Sequence, residues 1–295
     1  VDVSPEAFAQ HIAAVREKST ARRYKKIAMV FLQFCARQGI ELHRAPPGLL
    51  GQYAATLARA GLSPATIHVH ATGTKRYLEW RRSLGDQVSM MSRPDLPKVM
   101  VPIPDALDAT ALRSYLAAAN ELDEPMRTAL LILPYCGLRC AELVALRIDS
   151  VRTVTDRGKF RVHFQVRGKG RKERAVPVLE ECYGALRAYL RGWRASRRTT
   201  PWLFPQGTGA PLRSRQVARC VEGIRSKTRL RALTPHTLRR TFATNLYLMG
   251  VDPVTIAFIL GHSSPATTKK HYLAAGAPAL WQRIELARSA NTQQE

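Results

Sequence analysis

Apolar positions recur at helical spacing through most of this chain and at strand spacing in one short middle stretch. From Thr20 onward, Tyr24, Ile27, Ala28, Phe31, Leu32 and Cys35 fall at steps of three and four, which lines one buried face of a helix. Pro46-Pro47 interrupts the pattern, and Ser63-Pro64 starts a further helix with a serine cap and proline in its first turn. Residues 1–84 therefore predict a small bundle of helices joined by short loops. Residues 85–104 hold four prolines and little periodicity, as an interdomain linker does. Helices are expected again over 105–119 and 125–136, with Gly137 ending the second as a C-cap, and over 139–146. The period then changes to two: Phe160, Val162, Phe164 and Val166 alternate with polar residues, and 174–178 alternates in the same way. Gly168-Lys169-Gly170 turns between these runs, giving a β-hairpin with a third strand near 151–156. Helices are expected from about 179 to the end. The predicted fold class is mainly α: an N-terminal helical bundle (1–84), a linker (85–104) and an α-rich domain (105–295) with a small antiparallel three-stranded β-sheet.

Composition sharpens the picture through charge. The 295 residues are 45% hydrophobic, enough for a full core, but 46 Lys and Arg stand against 22 Asp and Glu. The resulting +24 and a pI near 10.7 point to a polyanionic partner. The basic excess falls on both sides of the proline-rich stretch, which suits two lobes gripping one duplex better than a basic tail. Binding to such a partner should be steeply salt-dependent. No apolar run approaches the roughly 18–20 residues of a membrane helix, and the polar, acidic start argues against a secretory leader. Five scattered cysteines, Cys35, Cys136, Cys140, Cys182 and Cys220, make a disulfide framework unexpected; reduced thiols in a cytoplasm fit them. Cys136 and Cys140 lack a second pair for zinc, His68 and His70 do not share a helix face, and no carboxylate constellation suits two metals. No metal or cofactor is expected.

The candidate chemistry lies in four stretches: Gly137-Leu138-Arg139, Gly168-Lys169-Gly170, His236-Thr237-Leu238-Arg239 and Leu260-Gly261-His262, with Tyr272 ten residues beyond His262. A phosphate held for reaction wants planar guanidinium forks, because Arg bonds two oxygens at once and keeps its charge. A phenol of pKa about 10 wants a base or a strong positive field before it attacks. Thr234-Pro235 caps a helix start, and His236 and Arg239, three apart, share a face near its positive end. Taken singly, each residue has an ordinary reading: Arg139 pairing with Glu142, Lys169 solvating a turn, His262 capping a helix, Tyr272 packing. Their order in one chain carries the argument.

In that order and context the chain resembles the tyrosine recombinase (phage integrase-like) family. Residues Gly137-Leu138-Arg139-Cys140-Ala141-Glu142-Leu143 look like its first-arginine box, and Gly168 to Arg174 look like its β-hairpin lysine. Thr234 to Arg240 look like its His-x-x-Arg box, and Leu260-Gly261-His262 with Tyr272 look like its terminal box. The likeness is close over about 105–285 and looser over 1–84, which resemble its helical core-binding domain. The simpler two-domain Xer-like or transposon-encoded members are the nearest in type. The resemblance implies that Arg139 and Arg239 clamp a scissile phosphate and that Tyr272 attacks it. Lys169 would protonate the leaving oxygen, His236 would act as base or hydrogen-bond partner, and His262 would bond a phosphate oxygen. Lys172, three residues from Lys169, is a second candidate for the lysine. The ten-residue step from His262 to Tyr272 is one longer than the family's usual nine.

The implied partner is double-stranded DNA carrying specific recombination sites, bound by a homo-tetramer in the cytoplasm on the nucleoid, away from any membrane. Candidate DNA contacts are Arg22, Arg23, Lys25, Lys26, Lys75 and Arg76 in the N-terminal helices, and Arg215 and Gln216 at a later helix start. The segment 277–290, with Leu280, Trp281, Ile284 and Leu286, looks amphipathic; in the family such a helix docks on a neighbouring subunit, and packing on its own domain is the plain alternative. Two alternatives use the same fold: a type IB-like topoisomerase or telomere resolvase, and a catalytically silent DNA-binding protein. A target sequence and a direction of recombination are not legible in these residues.

Overall fold

The computed structural model of the chain describes residues 2–15, 18–90, 94, 96–98, 106–156, 159–167, 173–197 and 199–261. It divides into two compact units, Val1–Val101 and Pro102–Glu295.

Among its described residues, unit 1 holds four α-helices, α1 (Pro5–Val15), α2 (Lys18–Arg37), α3 (Leu49–Arg59) and α4 (Pro64–Ser83), with a short 3-10 turn at Leu42–Arg44. The α2 face expected from spacing is the one that packs: Ile27, Ala28, Phe31 and Cys35 are buried, and Tyr24 and Leu32 lie against the same core. Gly73 lets α4 approach α2 closely, since a Cβ there would stand 2.9 Å from Ile27 Cδ1. Ser63 caps α4, its Oγ accepting from Thr66 N at 3.3 Å, with Pro64 in the first turn. His68 and His70 are held apart: His70 Nδ1 lies 2.9 Å from Tyr53 Oη, and His68 Nε2 lies 2.9 Å from the Pro97 carbonyl. Beyond α4 the chain stays with this unit, with Val88 buried in its core and Ser89 N donating to Leu42 O at 2.9 Å.

Unit 2 starts with α5 (Ala109–Asn120), α6 (Met126–Cys136) and α7 (Cys140–Val144). The first begins later than its spacing suggested because Asp108 caps it, Oδ1 accepting from Ala111 N at 2.8 Å. An antiparallel sheet of order β1-β2-β3 follows, from β1 (Val151–Asp156), β2 (Lys159–Arg167) and β3 (Glu173–Pro177). Its register sets Phe164 opposite both Val151 and Val176, and Val166 opposite Arg174. Phe164, Val166 and Val176 enter the core of α5, α6 and α8 (Glu180–Arg191).

The expectation of continuous helices from about 179 is corrected over 192–197 and 199–213, which are irregular. Pro201, Pro205 and Pro211 exclude helix there, and tertiary bonds take its place. Arg194, 4% exposed, donates to the carbonyls of Trp202 (3.0 Å), Arg197 and Thr200. Leu203, Phe204 and Leu212 are thereby pinned into the core. Then come α9 (Ser214–Thr228), α10 (Pro235–Leu248) and α11 (Pro253–Leu260). Phe242, Ala243 and Leu246 of α10 pack against Ile256 and Leu260 of α11. The molecule is mainly helical with one small antiparallel sheet, as its periodicities predict. Among the described residues, no helix is long and apolar enough to cross a membrane.

Candidate active site

The site is assembled where α6 ends, α7 and α10 begin, and α11 ends. Gly137 turns the chain left-handed at φ 57°, and no side chain fits: a Cβ would lie 2.3 Å from Phe242 Cδ1 and 2.9 Å from Leu260 Cδ2. That turn sets Arg139 at the N-cap of α7. Its backbone N–H donates to Glu142 Oε2 at 2.9 Å and its Nη1 to Glu142 Oε1 at 2.7 Å, while Nη2 reaches Gly261 O at 3.3 Å. With 39% of its side chain exposed, Arg139 is both oriented and open to a ligand.

Arg239 enters from the second turn of α10. Thr234 Oγ1 accepts from Thr237 N at 3.0 Å, and Pro235 follows, so the helix start is formed by the residues that sequence suggested. Arg239 is only 5% exposed; its two Nη atoms donate to the carbonyls of Gly137 and Leu260. Its Nη1 also stands 3.8 Å from Glu142 Oε2. His236 lies one turn nearer the helix start and keeps a face open to solvent. Partial burial of the ring, followed by the positive charges of Arg239, Arg240 and Arg139, pushes its pKa below the usual imidazole value. A neutral imidazole beside fixed cations can accept a proton or a hydrogen bond at neutral pH.

Glu142 is the hub. Burial alone would raise its pKa, but bonds from Arg174 and Arg139 outweigh that and hold the carboxyl below the ordinary carboxylate range. Arg174, 6% exposed on β3, grips it with both arms: Nη1 to Oε1 at 3.1 Å and Nη2 to Oε2 at 2.8 Å. Its Nε donates to Ile259 O at 2.7 Å. Among the described residues, three guanidiniums thus lie within 3.8 Å of one carboxylate. An anion with two free oxygens, such as a phosphodiester, is the complementary ligand.

Of the six residues singled out from sequence, Arg139, His236 and Arg239 are gathered here. Lys169, His262 and Tyr272 lie outside the described residues, as do Lys172 and the segment 277–290. Sequence reasoning passed over Arg174, although a period of two puts it on the face of Val176 and Val178. A charged residue on the inward side of a strand was the available signal. Among the DNA-contact candidates, Arg22, Arg23 and Lys26 are exposed on α2, and Arg215 is exposed on α9. Others are engaged within the fold. Lys25 pairs with Glu6 at 2.6 Å, Lys75 with Glu79 at 3.7 Å, and the Arg76 guanidinium stacks 5.6 Å from the Tyr24 ring centre. Gln216 accepts from Arg213 N at 2.8 Å and donates to Gln206 at 3.0 Å. Among the described residues, no three His, Cys, Asp or Glu side chains gather as a metal site would need.

Fold and site together describe an α-rich domain built around a buried arginine–glutamate cluster, and comparison with known proteins gives its family. Residues 105–277 match the phage integrase family, and the chain belongs to it. It is a tyrosine-type site-specific recombinase. The tyrosine recombinase XerD of Caulobacter vibrioides is 32% identical over 287 residues, covering 93% of this chain and 92% of that one. The XerD of Pseudomonas aeruginosa is 37% identical over 188 residues, 59% of either chain. Solved structures share the fold. The XerH site-specific recombinase, bound to palindromic difH substrate in a post-cleavage complex, matches 94% of this chain and 80% of its own at a TM-score of 0.72 and 20% identity. The Tn1549 transposon integrase with transposon right end DNA matches 98% of this chain and 100% of its own at a TM-score of 0.63 and 21% identity.

Proposed function

We propose that this chain breaks and rejoins double-stranded DNA at specific recombination sites through a 3′-phosphotyrosyl intermediate on Tyr272, four copies acting on two duplexes. The observation that carries the reading is the convergence of Arg139 and Arg239 on one buried carboxylate, both guanidiniums oriented before any ligand arrives. The net charge of +24 fits a duplex partner.

The scissile phosphate sits on Arg139 and Arg239, which stabilise charge growing on its non-bridging oxygens. Tyr272 Oη gives up its proton, with neutral His236 as base or hydrogen-bond partner, and bonds to phosphorus. The bond from phosphorus to the 5′ oxygen breaks, and that oxygen takes a proton from the hairpin lysine, Lys169 or its neighbour Lys172. His262 bonds a phosphate oxygen. One phosphate ester is exchanged for another, so religation to a partner strand needs no ATP. Residues 1–84 serve as the core DNA-binding domain, 85–104 as the linker and 105–295 as the catalytic domain, with the protein working on cytoplasmic, nucleoid-associated DNA. The amphipathic segment 277–290 docks on a neighbouring subunit and links the tetramer.

The test is a nicked duplex carrying the cognate site, from which the short leaving fragment with the new 5′-hydroxyl diffuses away and so traps the adduct. Wild type should form a covalent protein–DNA species and Tyr272→Phe none; an adduct that persists in the variant refutes the assignment. Product from paired sites but none from single ones separates recombination from relaxation of one duplex.

A further inference from the structure

We propose that Cys136 and Cys182 form a redox switch beneath the site: a disulfide between them, made by a hydroperoxide and undone by small thiols, displaces the Gly137 turn and stops cleavage. The inference rests on the proposed function and adds a means of controlling it.

The two sulfurs lie 4.0 Å apart where α6 packs on α8, and both residues are 1% exposed. All five cysteines of the chain are free thiols. Cys182 donates its S–H to Leu179 O at 3.3 Å, so the Cys136 S–H is the one directed at the other sulfur. That contact, and burial after it, push the Cys136 thiol well above its ordinary range, which makes it a poor first target for an oxidant. Cys182 is the reachable one: with Asn120, Tyr135 and Glu181 it lines a cavity of about 340 Å³, ample for a molecule the size of hydrogen peroxide. The chemistry balances within the pair. Cys182 Sγ loses its proton and attacks one peroxide oxygen; the O–O bond breaks, leaving a sulfenic acid and one water. Cys136 Sγ then attacks Cys182 Sγ, the S–OH bond breaks, and the hydroxide departs with the Cys136 proton as a second water. The two thiols give up two electrons and the peroxide takes them. Two small thiols reverse the bond by exchange and leave as their own disulfide. The bond would reach the site through the backbone. Cys136 is the last residue of α6, Gly137 follows it at φ 57°, the Gly137 carbonyl accepts from Arg239, and Arg139 lies two residues on. On the other side, Leu179 packs against the cluster of Phe242 and Leu260. A disulfide holds its sulfurs at about 2.05 Å, so the pair must close by about 2 Å. A close-packed interior leaves the side chains little room to do this alone, so α6 and α8 share the movement.

The experiment treats the full chain with hydrogen peroxide, alkylates the remaining thiols in denaturant, and maps the peptides by mass spectrometry without reduction. Cys136 should be found joined to Cys182. In parallel, the treated protein is assayed on the nicked cognate duplex. It should cleave about 100-fold more slowly, the loss expected from moving the arginines by about 1 Å, and dithiothreitol should restore the rate to within about threefold. Cys182→Ala cannot form the bond, and its rate should change less than about threefold through the same treatment. Each rate is compared before and after oxidation in one preparation, so a poorly folding variant still gives a valid ratio. Both thiols found alkylated after peroxide, or a linked peptide with cleavage unchanged, would overturn the proposal. A loss that dithiothreitol does not reverse, or that Cys182→Ala shares, would overturn it as well, because oxidation elsewhere would then be the cause. Absence of any adduct with the reduced wild-type protein would instead defeat the recombinase mechanism, and the peptide map would still decide whether the bond forms.

Discussion

Replacing Gly137 with alanine adds one methyl group, and its cost can be worked from the site. At φ 57° an L-residue pays about 1–2 kcal/mol for its left-handed conformation. The new Cβ also meets Phe242 Cδ1 at 2.3 Å, Phe242 Cε1 at 2.8 Å and Leu260 Cδ2 at 2.9 Å. Phe242 and Leu260 are 1% and 2% exposed, so neither has space to withdraw into, and overpacking adds about 1–3 kcal/mol. Gly250 supplies the control, with φ 86° and nothing within 4 Å of its Cβ position. Gly250→Ala should cost only the conformational part, about 1–2 kcal/mol, against about 2–5 kcal/mol for Gly137→Ala. Urea unfolding of the full chain, followed through the transition of unit 2, measures the difference. Function should separate the two further. Arg239 bonds the Gly137 carbonyl and Arg139 lies two residues on, so a displaced turn moves both guanidiniums. A shift near 1 Å costs about 100-fold in the cleavage rate. Equal stability loss and equal activity in the two alanine variants would refute the reasoning.

Two further outcomes follow from the charges. The pKa of His236 is lowered in the folded protein, so the unfolded chain takes up its proton first as pH falls. Its contribution to stability is present above the ordinary imidazole value of about 6.5 and is lost as pH drops through the lower, folded value. Unfolding midpoints measured between pH 8 and pH 5 (roughly the titration range of histidine) should therefore fall less steeply for His236→Asn than for wild type; parallel curves would show that the shift has no weight. Arg22 and Arg23 are exposed on α2, and removing both as Arg22→Ala and Arg23→Ala should lower the slope of log K against log salt by about 2. An unchanged slope in a binding titration would take α2 off the DNA.

Much of this protein is settled by interactions between near neighbours in the chain, and those parts are legible in its sequence. The buried face of α2, the caps at Ser63 and Thr234, the left-handed Gly137 and the alternating hairpin each depend on residues within a turn or two. The order of Arg139, His236 and Arg239 in their motifs carried the resemblance to the family for the same reason: side-chain type and local spacing make up those motifs. Tertiary structure decided the rest. Over 192–213 no period identifies the path, because the Arg194 bonds to surrounding carbonyls hold it in place of a helix or strand ladder. Glu142 reads locally as a partner for Arg139. That it also anchors Arg174, 32 residues away, and lies 3.8 Å from Arg239 follows only once β3 and α10 have packed around α7. Charge balance in a buried cluster is a property of what surrounds it on every side, and chain order supplies only one of those sides.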